Sequence, residues 1–228
     1  MKLLALDTSS LACSVALLCE DSEFIRHEEQ EREHTRLLMP MIRSVLAEAR
    51  LEPRELDAIV LGNGPGSFIG MRIAASVTMG LAYAAGLPVV PISSLAAVAA
   101  DVGKTGDSVV VTQDAHMQQV YLGMFERRDG GLVTALVPER LQSQVEIAEL
   151  TSAKNYIAAG YGWQRYPALL ELNQASLVSV SDRHYPAASA LLRLGAADYN
   201  AGKTIGAREI EPTYLRETVA QIPSGPAS

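Results

Sequence analysis

Cysteine is scarce in this 228-residue chain: Cys13 and Cys19 are the only two, six positions apart. No C-x-x-C pair and no neighbouring histidine accompany them. A disulfide scaffold is thereby excluded, and two small thiols in a reducing cytoplasm are expected. Basic residues are also in deficit, 19 Lys and Arg against 26 Asp and Glu, for a net charge of −7 spread along both halves. Without a basic cluster, the chain lacks the phosphate-neutralising surface that autonomous nucleic-acid binding requires. Paired histidines are absent too. His27, His34, His116 and His184 never fall four apart on one helical face, so no metal site built from this chain alone is expected. No Ser/His/Asp set can be assembled from sequence order either. Before Asp7 the N-terminus offers Lys2 and only a few apolar residues, too short for a secretory signal core. The longest uncharged stretch, residues 73–100, is cut by Gly80, Gly86, Pro88 and Pro91. Each piece is expected to fall short of a membrane span and to lie in the core.

What remains is an apolar-rich chain, 48% hydrophobic, long enough for one large domain or two small ones that bury roughly 70% of their extended surface. Residues 2–7 form an apolar run that ends in an acid and meets the turn-forming Thr8-Ser9-Ser10. Strands are expected at 12–20 and, more solvated, at 23–30, giving an antiparallel meander. Apolar residues at helical spacing predict a helix over 34–50. A buried strand at 57–61 leads through the glycine-rich 62–70 into a helix over 71–85, stopped by Gly86 and Pro88. A short strand at 89–90 and a helix over 94–102 follow. After a linker at 103–108 the pattern restarts: an apolar strand at 109–114 ends in Asp114, with strands at 120–126 and 131–140. Helices are expected at 144–150, 163–173 and 186–201, with a strand at 155–159. Strand, acid, turn, strand, strand thus occurs twice, which points to two α/β lobes of common origin. Their expected bounds are 1–103 and 108–217, followed by a flexible Pro/Gly/Ser tail over 218–228.

Two kinds of residue can carry chemistry. The first are strand-end acids and the glycine loop: Asp7, Thr8, Ser9, Gly64, Gly66, Ser67 and Asp114. Acids at strand ends are where α/β proteins place ligand-binding groups, and backbone N–H groups of a strand-to-helix glycine turn can receive an anion. The loop Gly62-Asn63-Gly64-Pro65-Gly66-Ser67-Phe68-Ile69-Gly70 lacks the lysine of a Walker A loop. It also lacks the glycine spacing of a dinucleotide loop and of a nucleophile elbow. A tight turn packed on another backbone is the competing reading, as is an Asx-turn at each acid. The second kind is helical surface. The helices over 34–50 and 71–85 are apolar around much of their circumference, which serves either to cover their own sheet or to meet a partner.

These residues are similar to those of the TsaB (YeaZ) family. The resemblance rests on Leu4-Ala5-Leu6-Asp7-Thr8-Ser9, on Cys13-Ser14-Val15-Ala16-Leu17, and on His34 followed by Leu37-Leu38-Met39-Pro40. It continues through Gly64-Pro65-Gly66-Ser67-Phe68 with Gly70 and Arg72, then Ser93-Ser94-Leu95, Asp114-Ala115 before Val120-Tyr121, and Pro212-Thr213-Tyr214-Leu215-Arg216. The glycine block with its downstream Arg is the specific part. The resemblance implies a two-lobed actin/sugar-kinase/Hsp70-like (ASKHA) fold with ribonuclease H-like lobes, the second reduced. It implies a non-catalytic subunit of the bacterial machinery that installs threonylcarbamoyl on adenosine 37 of tRNA. In that machinery a larger paralogue, TsaD, holds metal and the activated intermediate, and an ATPase, TsaE, docks on the pair.

Pairing in the family runs through the first two helices, which here places His34, Leu38, Met41, Ile42, Val45, Met71, Arg72, Ala75 and Met79 at the interface. A homodimer through the same helices is expected when the chain is alone. ATP or ADP and metal are expected on the partner or at the joint, and tRNA is reached only through the complex. Two positions depart from the family pattern. Ile69 stands where Thr is common, and His116 where Arg is common. Loss of the hydroxyl and of the fixed cation both favour a scaffold over a nucleotide binder. A free-standing kinase of the same fold, using Asp7 on metal, and a peptidase are the alternatives.

Overall fold

The computed structural model describes residues 1–30, 33–150 and 155–216; the tail expected at 218–228 lies outside them. The first sheet opens with β1 (Lys2–Asp7), β2 (Ala12–Cys19) and β3 (Ser22–Glu29), an antiparallel meander. Helix α1 (His34–Ala49), strand β4 (Ala58–Gly62), helix α2 (Phe68–Ala85), strand β5 (Val89–Ile92) and helix α3 (Ser94–Ala100) follow. Strands β4 and β5 join in parallel, so the order is β3-β2-β1-β4-β5.

The second sheet holds β6 (Ser108–Asp114), β7 (Gln119–Arg127), β8 (Val133–Ala135), β9 (Arg140–Ser143), β10 (Tyr156–Ala159) and β11 (Leu177–Val180). Its order β11-β10-β6-β7-β8, with β9 also on β7, repeats the first sheet's pattern of an antiparallel entry and two parallel additions. The repeat expected from Asp7 and Asp114 is therefore a repeat of topology.

Strand alternation assigns the layers. Leu4 and Leu6 point to the face covered by α1 and α2, where Leu38, Ile42, Val45 and Ala74 pack. Leu3 and Ala5 point to the opposite face, covered by Ala97 and Ala100 of α3 and by helix α6 (Ala188–Asn200) through Leu191 and Leu194. The other side of α3, through Leu95, Val98 and Ala99, packs on Val109 and Val111 of the second sheet. One short helix is thus shared by both lobes. Helices α4 (Tyr161–Arg165) and α5 (Pro167–Asn173) cover the second sheet with Trp163 and Leu169.

Several expectations are corrected. The strand expected over 131–140 is two short ones, β8 and β9. Residues 144–150 form no helix, and the helix expected over 163–173 breaks at Tyr166 before Pro167, as the residue ahead of a proline is pushed out of helical geometry. Strand β11 was not foreseen. The lobe boundary also shifts. Helix α6 follows the second sheet in sequence but packs on the first, and Ile205 bridges Val89 of β5. Finally, α2 starts three residues early, because the Ser67 hydroxyl accepts the Gly70 N–H as its N-cap. With 18 residues it is long and apolar enough by composition to span a bilayer, though its inner face lies in the first lobe's core.

The α6–sheet contact is close because of one glycine. A Cβ at Gly195 would meet the Val60 methyls at 2.5 and 2.6 Å, and Val60 is fixed in the middle of the sheet. Gly195→Ala is expected to destabilise the fold by about 1–2 kcal/mol, overpacking outweighing the roughly 1 kcal/mol helix preference of Ala. A urea unfolding midpoint equal to or above wild type would contradict this packing.

Candidate functional site

Asp7 sits at the C-terminal end of β1, wholly buried. Both carboxylate oxygens are occupied from within the chain. Oδ1 accepts the Ser9 N–H and the Ser9 hydroxyl, each at 2.7 Å, and Oδ2 accepts the Ser94 hydroxyl at 2.6 Å. Ser94 in turn accepts the Gly64 N–H at 3.1 Å and gives its own N–H to the Gly64 carbonyl at 2.8 Å. The Ser67 N–H reaches the Ser9 carbonyl at 2.6 Å, and the Thr8 hydroxyl donates to the Gly70 carbonyl at 2.7 Å.

The glycines are there for this approach. A Cβ at Gly62 would overlap the Asp7 carboxylate, at Gly66 the Ser9 carbonyl, and at Gly70 the Thr8 carbonyl. The tight-turn reading of the loop is the one the packing bears out, and the Asx-turn reading holds at Asp7. Asp7, Thr8, Ser9, Gly64 and Gly66 come together but lie buried, with their polar groups engaged on one another; Ser67 alone of this first-lobe set is exposed. The buried five are among the residues expected at an anion contact, and the structure places them in the interior. Among the described residues no three of His, Cys, Asp and Glu cluster as metal ligands.

Asp114 belongs to a separate network. Its Oδ1 accepts the His116 N–H at 2.8 Å and the Tyr166 hydroxyl at 2.7 Å, with the His116 ring at 3.5 Å and Arg165 at 4.0 Å from Oδ2. Burial, followed by the hydrogen bond to Asp114, pushes the Tyr166 phenol up to about 12. His116, Met117 and Gln118 all adopt left-handed backbone, with φ of 59°, 51° and 57°. The Arg216 guanidinium braces this turn by donating to the Ala115 carbonyl at 2.9 Å.

The structure also assembles a serine, a histidine and an acid that sequence order did not suggest. Ser14 and His27 are opposite on β2 and β3, 3.0 Å apart at Oγ and Nδ1, and His27 Nε2 lies 3.5 Å from Glu29. Ser14 is 0% exposed, and its oxygen accepts the Ala188 N–H at the start of α6. A nucleophile sealed by a helix terminus reaches no substrate; Ser14 instead accepts from the start of α6.

An accessible groove of about 390 Å3 lies between α1 and α2. Leu38, Met39, Ile69, Ile73 and Val77 line it, with Arg72 and no acidic residue. The outer face of α2 continues it with Ile69, 70% exposed, Met79, 38%, and Tyr83, 64%. Of the interface residues expected from sequence, Arg72 and Met79 are exposed. His34, Leu38, Met41, Ile42, Val45, Met71 and Ala75 are instead buried. These residues lie on the inner faces of α1 and α2: Leu38, Met41, Ile42, Val45 and Ala75 join the first lobe's own core, and His34 lies near enough to Asp7 to act on its charge. Sequence reasoning selected mostly the inner faces of these two helices, because apolar character marks a buried stripe first. It did not single out Phe68, Ile69, Tyr83 and Tyr214 as sites, although Phe68 and Tyr214 stand in quoted motifs.

A family model described as TsaD, tRNA N6-adenosine threonylcarbamoyltransferase, matches residues 25–224. A Haemophilus influenzae protein named tRNA threonylcarbamoyladenosine biosynthesis protein TsaB is 37% identical over 96% of this chain and 95% of its own length. The chain belongs to the TsaB (YeaZ) family. The Escherichia coli protein of the same name is 31% identical over 96% of both chains. The structure of YeaZ from Pseudomonas aeruginosa matches with a TM-score of 0.86 at 34% identity, over 94% of this chain and 99% of that one. Another Pseudomonas aeruginosa structure, TM-score 0.87 at 35% identity over 94% and 99%, is of a protein described as similar to peptidase YEAZ. The two-lobed architecture of this TsaB-family chain is accordingly the ASKHA-like fold, with the second lobe lacking counterparts of the long α1 and α2 among the described residues.

Burial raises the Asp7 pKa above its usual 3.8, against the opposing effects of Ser94, Ser9 and His34. A raised acid binds its proton more tightly folded than unfolded. Its contribution to stability is therefore largest below the unfolded value, about 3.9, and declines as pH rises through the folded one. Urea unfolding of wild type and Asp7→Asn across pH 4 to 7 is expected to show this falling component only in wild type. A stability difference independent of pH would contradict it.

Proposed function

We propose that this chain is the scaffolding, non-catalytic subunit of tRNA threonylcarbamoyladenosine biosynthesis. It pairs with the TsaD-type catalytic subunit through the α1–α2 groove and the outer face of α2. The role in that pathway follows from the TsaB-named relatives that span nearly the whole chain. The observation that carries the pairing is the exposed apolar face of α2. Ile69, Met79 and Tyr83 lie along one helix beside an apolar groove, where a monomer's surface would be expected to be mixed and polar. The reading of a non-catalytic chain is supported by the engaged and buried Asp7.

In this reading ATP or ADP and metal reside on the partner or at the joint, and a TsaE-like ATPase docks on the assembled pair. The acidic chain, at −7, meets tRNA through the complex. Self-pairing through the same face is the state of the chain without its partner. A helix pair that binds one arrangement of the catalytic subunit better than others shifts its population toward that arrangement. The kinase alternative requires Asp7 to be free for metal, and the peptidase alternative requires an accessible nucleophile at Ser14; burial opposes both.

Ile69→Arg tests the pairing with little risk to the fold, since Ile69 is largely exposed. Placing an unpaired charge in an apolar contact is expected to weaken binding to the TsaD-type subunit of the same organism at least tenfold, or about 1.4 kcal/mol. Reconstituted threonylcarbamoyladenosine formation should fall with it. A folded variant that binds and supports modification as wild type does would overturn the groove as the docking site. Ile42→Arg is unsuited to this test because Ile42 is wholly buried in the chain's own core.

A further inference from the structure

Arg72, like Arg208 against Tyr83, is held by aromatic side chains in place of a carboxylate. Arg26, Arg36, Arg140 and Arg193 are each paired with a carboxylate. Arg72 makes no ion pair among the described residues; two aromatic rings hold it instead. Its guanidinium carbon lies 3.7 Å from the centre of the Phe68 ring and 5.8 Å from that of Tyr214, and its Nε donates to the Tyr214 hydroxyl at 3.0 Å. The two rings are themselves 5.4 Å apart.

Tyr214 reaches this place from far along the chain. The C-terminal segment is laid against the glycine loop by Asn63, whose side-chain amide donates to the Glu211 carbonyl at 2.9 Å and whose own carbonyl accepts the Thr213 N–H at 2.9 Å. Beyond Tyr214, Arg216 anchors the segment on the Ala115 carbonyl. Pinned on both sides, the tyrosine fixes an arginine at an apolar groove.

We infer that Arg72, pre-set by Phe68 and Tyr214, is the groove's carboxylate-recognition point, and that the docking partner presents a helix carrying an Asp or Glu among apolar side chains. The inference rests on the groove being the docking site. With Nε taken by Tyr214, the two terminal nitrogens make no hydrogen bond among the described residues, and they form the fork that matches a carboxylate. Ring stacking restrains the guanidinium, so less side-chain freedom is lost on binding.

The groove walls decide the class of partner. Leu38, Met39, Ile69, Ile73 and Val77 suit an apolar helix face, whereas phosphate chains are met by several cations and Arg72 is the only one lining the groove. A second copy of this chain fits less well. No acid lines its groove, so a second copy brings no carboxylate from that surface to Arg72. Tyr214 is then a positioning residue acting through Arg72.

Titration of the full chain against the TsaD-type subunit at low and high salt tests this. Arg72→Met is expected to weaken pairing about tenfold at low salt, as for loss of a charge-assisted hydrogen bond, and to flatten the salt dependence. Arg72→Lys should restore little, because the fork is lost. Tyr214→Phe should weaken pairing severalfold in the wild-type background and have no effect in the Arg72→Met background. A purely structural role for Tyr214 would act equally in both. If Ile69→Arg abolishes pairing while Arg72→Met leaves it unchanged, the groove reading stands and this inference falls. If Ile69→Arg has no effect, the groove reading falls and takes this inference with it. If Arg72→Met spares the protein pair but weakens tRNA binding by the complex, the arginine serves phosphate and the carboxylate assignment is overturned.

Discussion

The contact between the glycine loop and the Asp7-Thr8-Ser9 turn is the constraint on which the rest of the molecule depends. An ionisable carboxyl taken out of water is costly, and here the cost is offset by three hydrogen bonds from Ser9 and Ser94. Those bonds require the loop to lie on the turn with no side chain between them, hence Gly62, Gly66 and Gly70. The same contact sets where α2 begins and so where Phe68, Ile69 and Arg72 stand. A strand-end acid, in a place where related topologies put ligand chemistry, here helps to position a helix.

The two lobes share a topology and differ in what they do with it. In the first, long helices cover one face of the sheet, and their outer surfaces remain available. In the second, the path from β7 to β10 runs through two short strands, and the corresponding acid, Asp114, stabilises a left-handed turn together with Tyr166. The halves are not separate bodies. Helix α3 is buried against both sheets, and α6 crosses back to seal the first lobe at Val60 and Ser14. A partner that grips α1 and α2 therefore holds a unit in which the core is continuous from one lobe to the other.

Much of the first lobe was legible from sequence. Leu3 to Leu6 alternate between two buried faces, and α1 follows its apolar spacing almost residue for residue. The second lobe was less so. Residues 144–150 carry a helix-like pattern without adopting it, and β11 has too little apolar contrast to stand out. At the candidate site, Asp7 and the glycine loop were found as a pair of motifs, but two readings, anion cradle and tight turn, remained open because both need the same glycines. Burial of Asp7 and the hydrogen bond it accepts from Ser94, 87 positions away, favour the tight turn.

Composition and periodicity by themselves determined the acidic balance, the repeat of strand, acid and turn, and the positions of α1 and α2, because these depend on local pattern and on totals. Which faces of those helices are free was decided only by tertiary structure. Apolar side chains on a helix look alike whether they meet their own sheet or the outside, and the sheet takes the inner stripe of Leu38, Ile42 and Val45. The Arg72–Tyr214 contact likewise spans 142 positions. No local pattern encodes it; it exists because the C-terminal segment folds back onto Asn63 and sets Tyr214 beside Arg72.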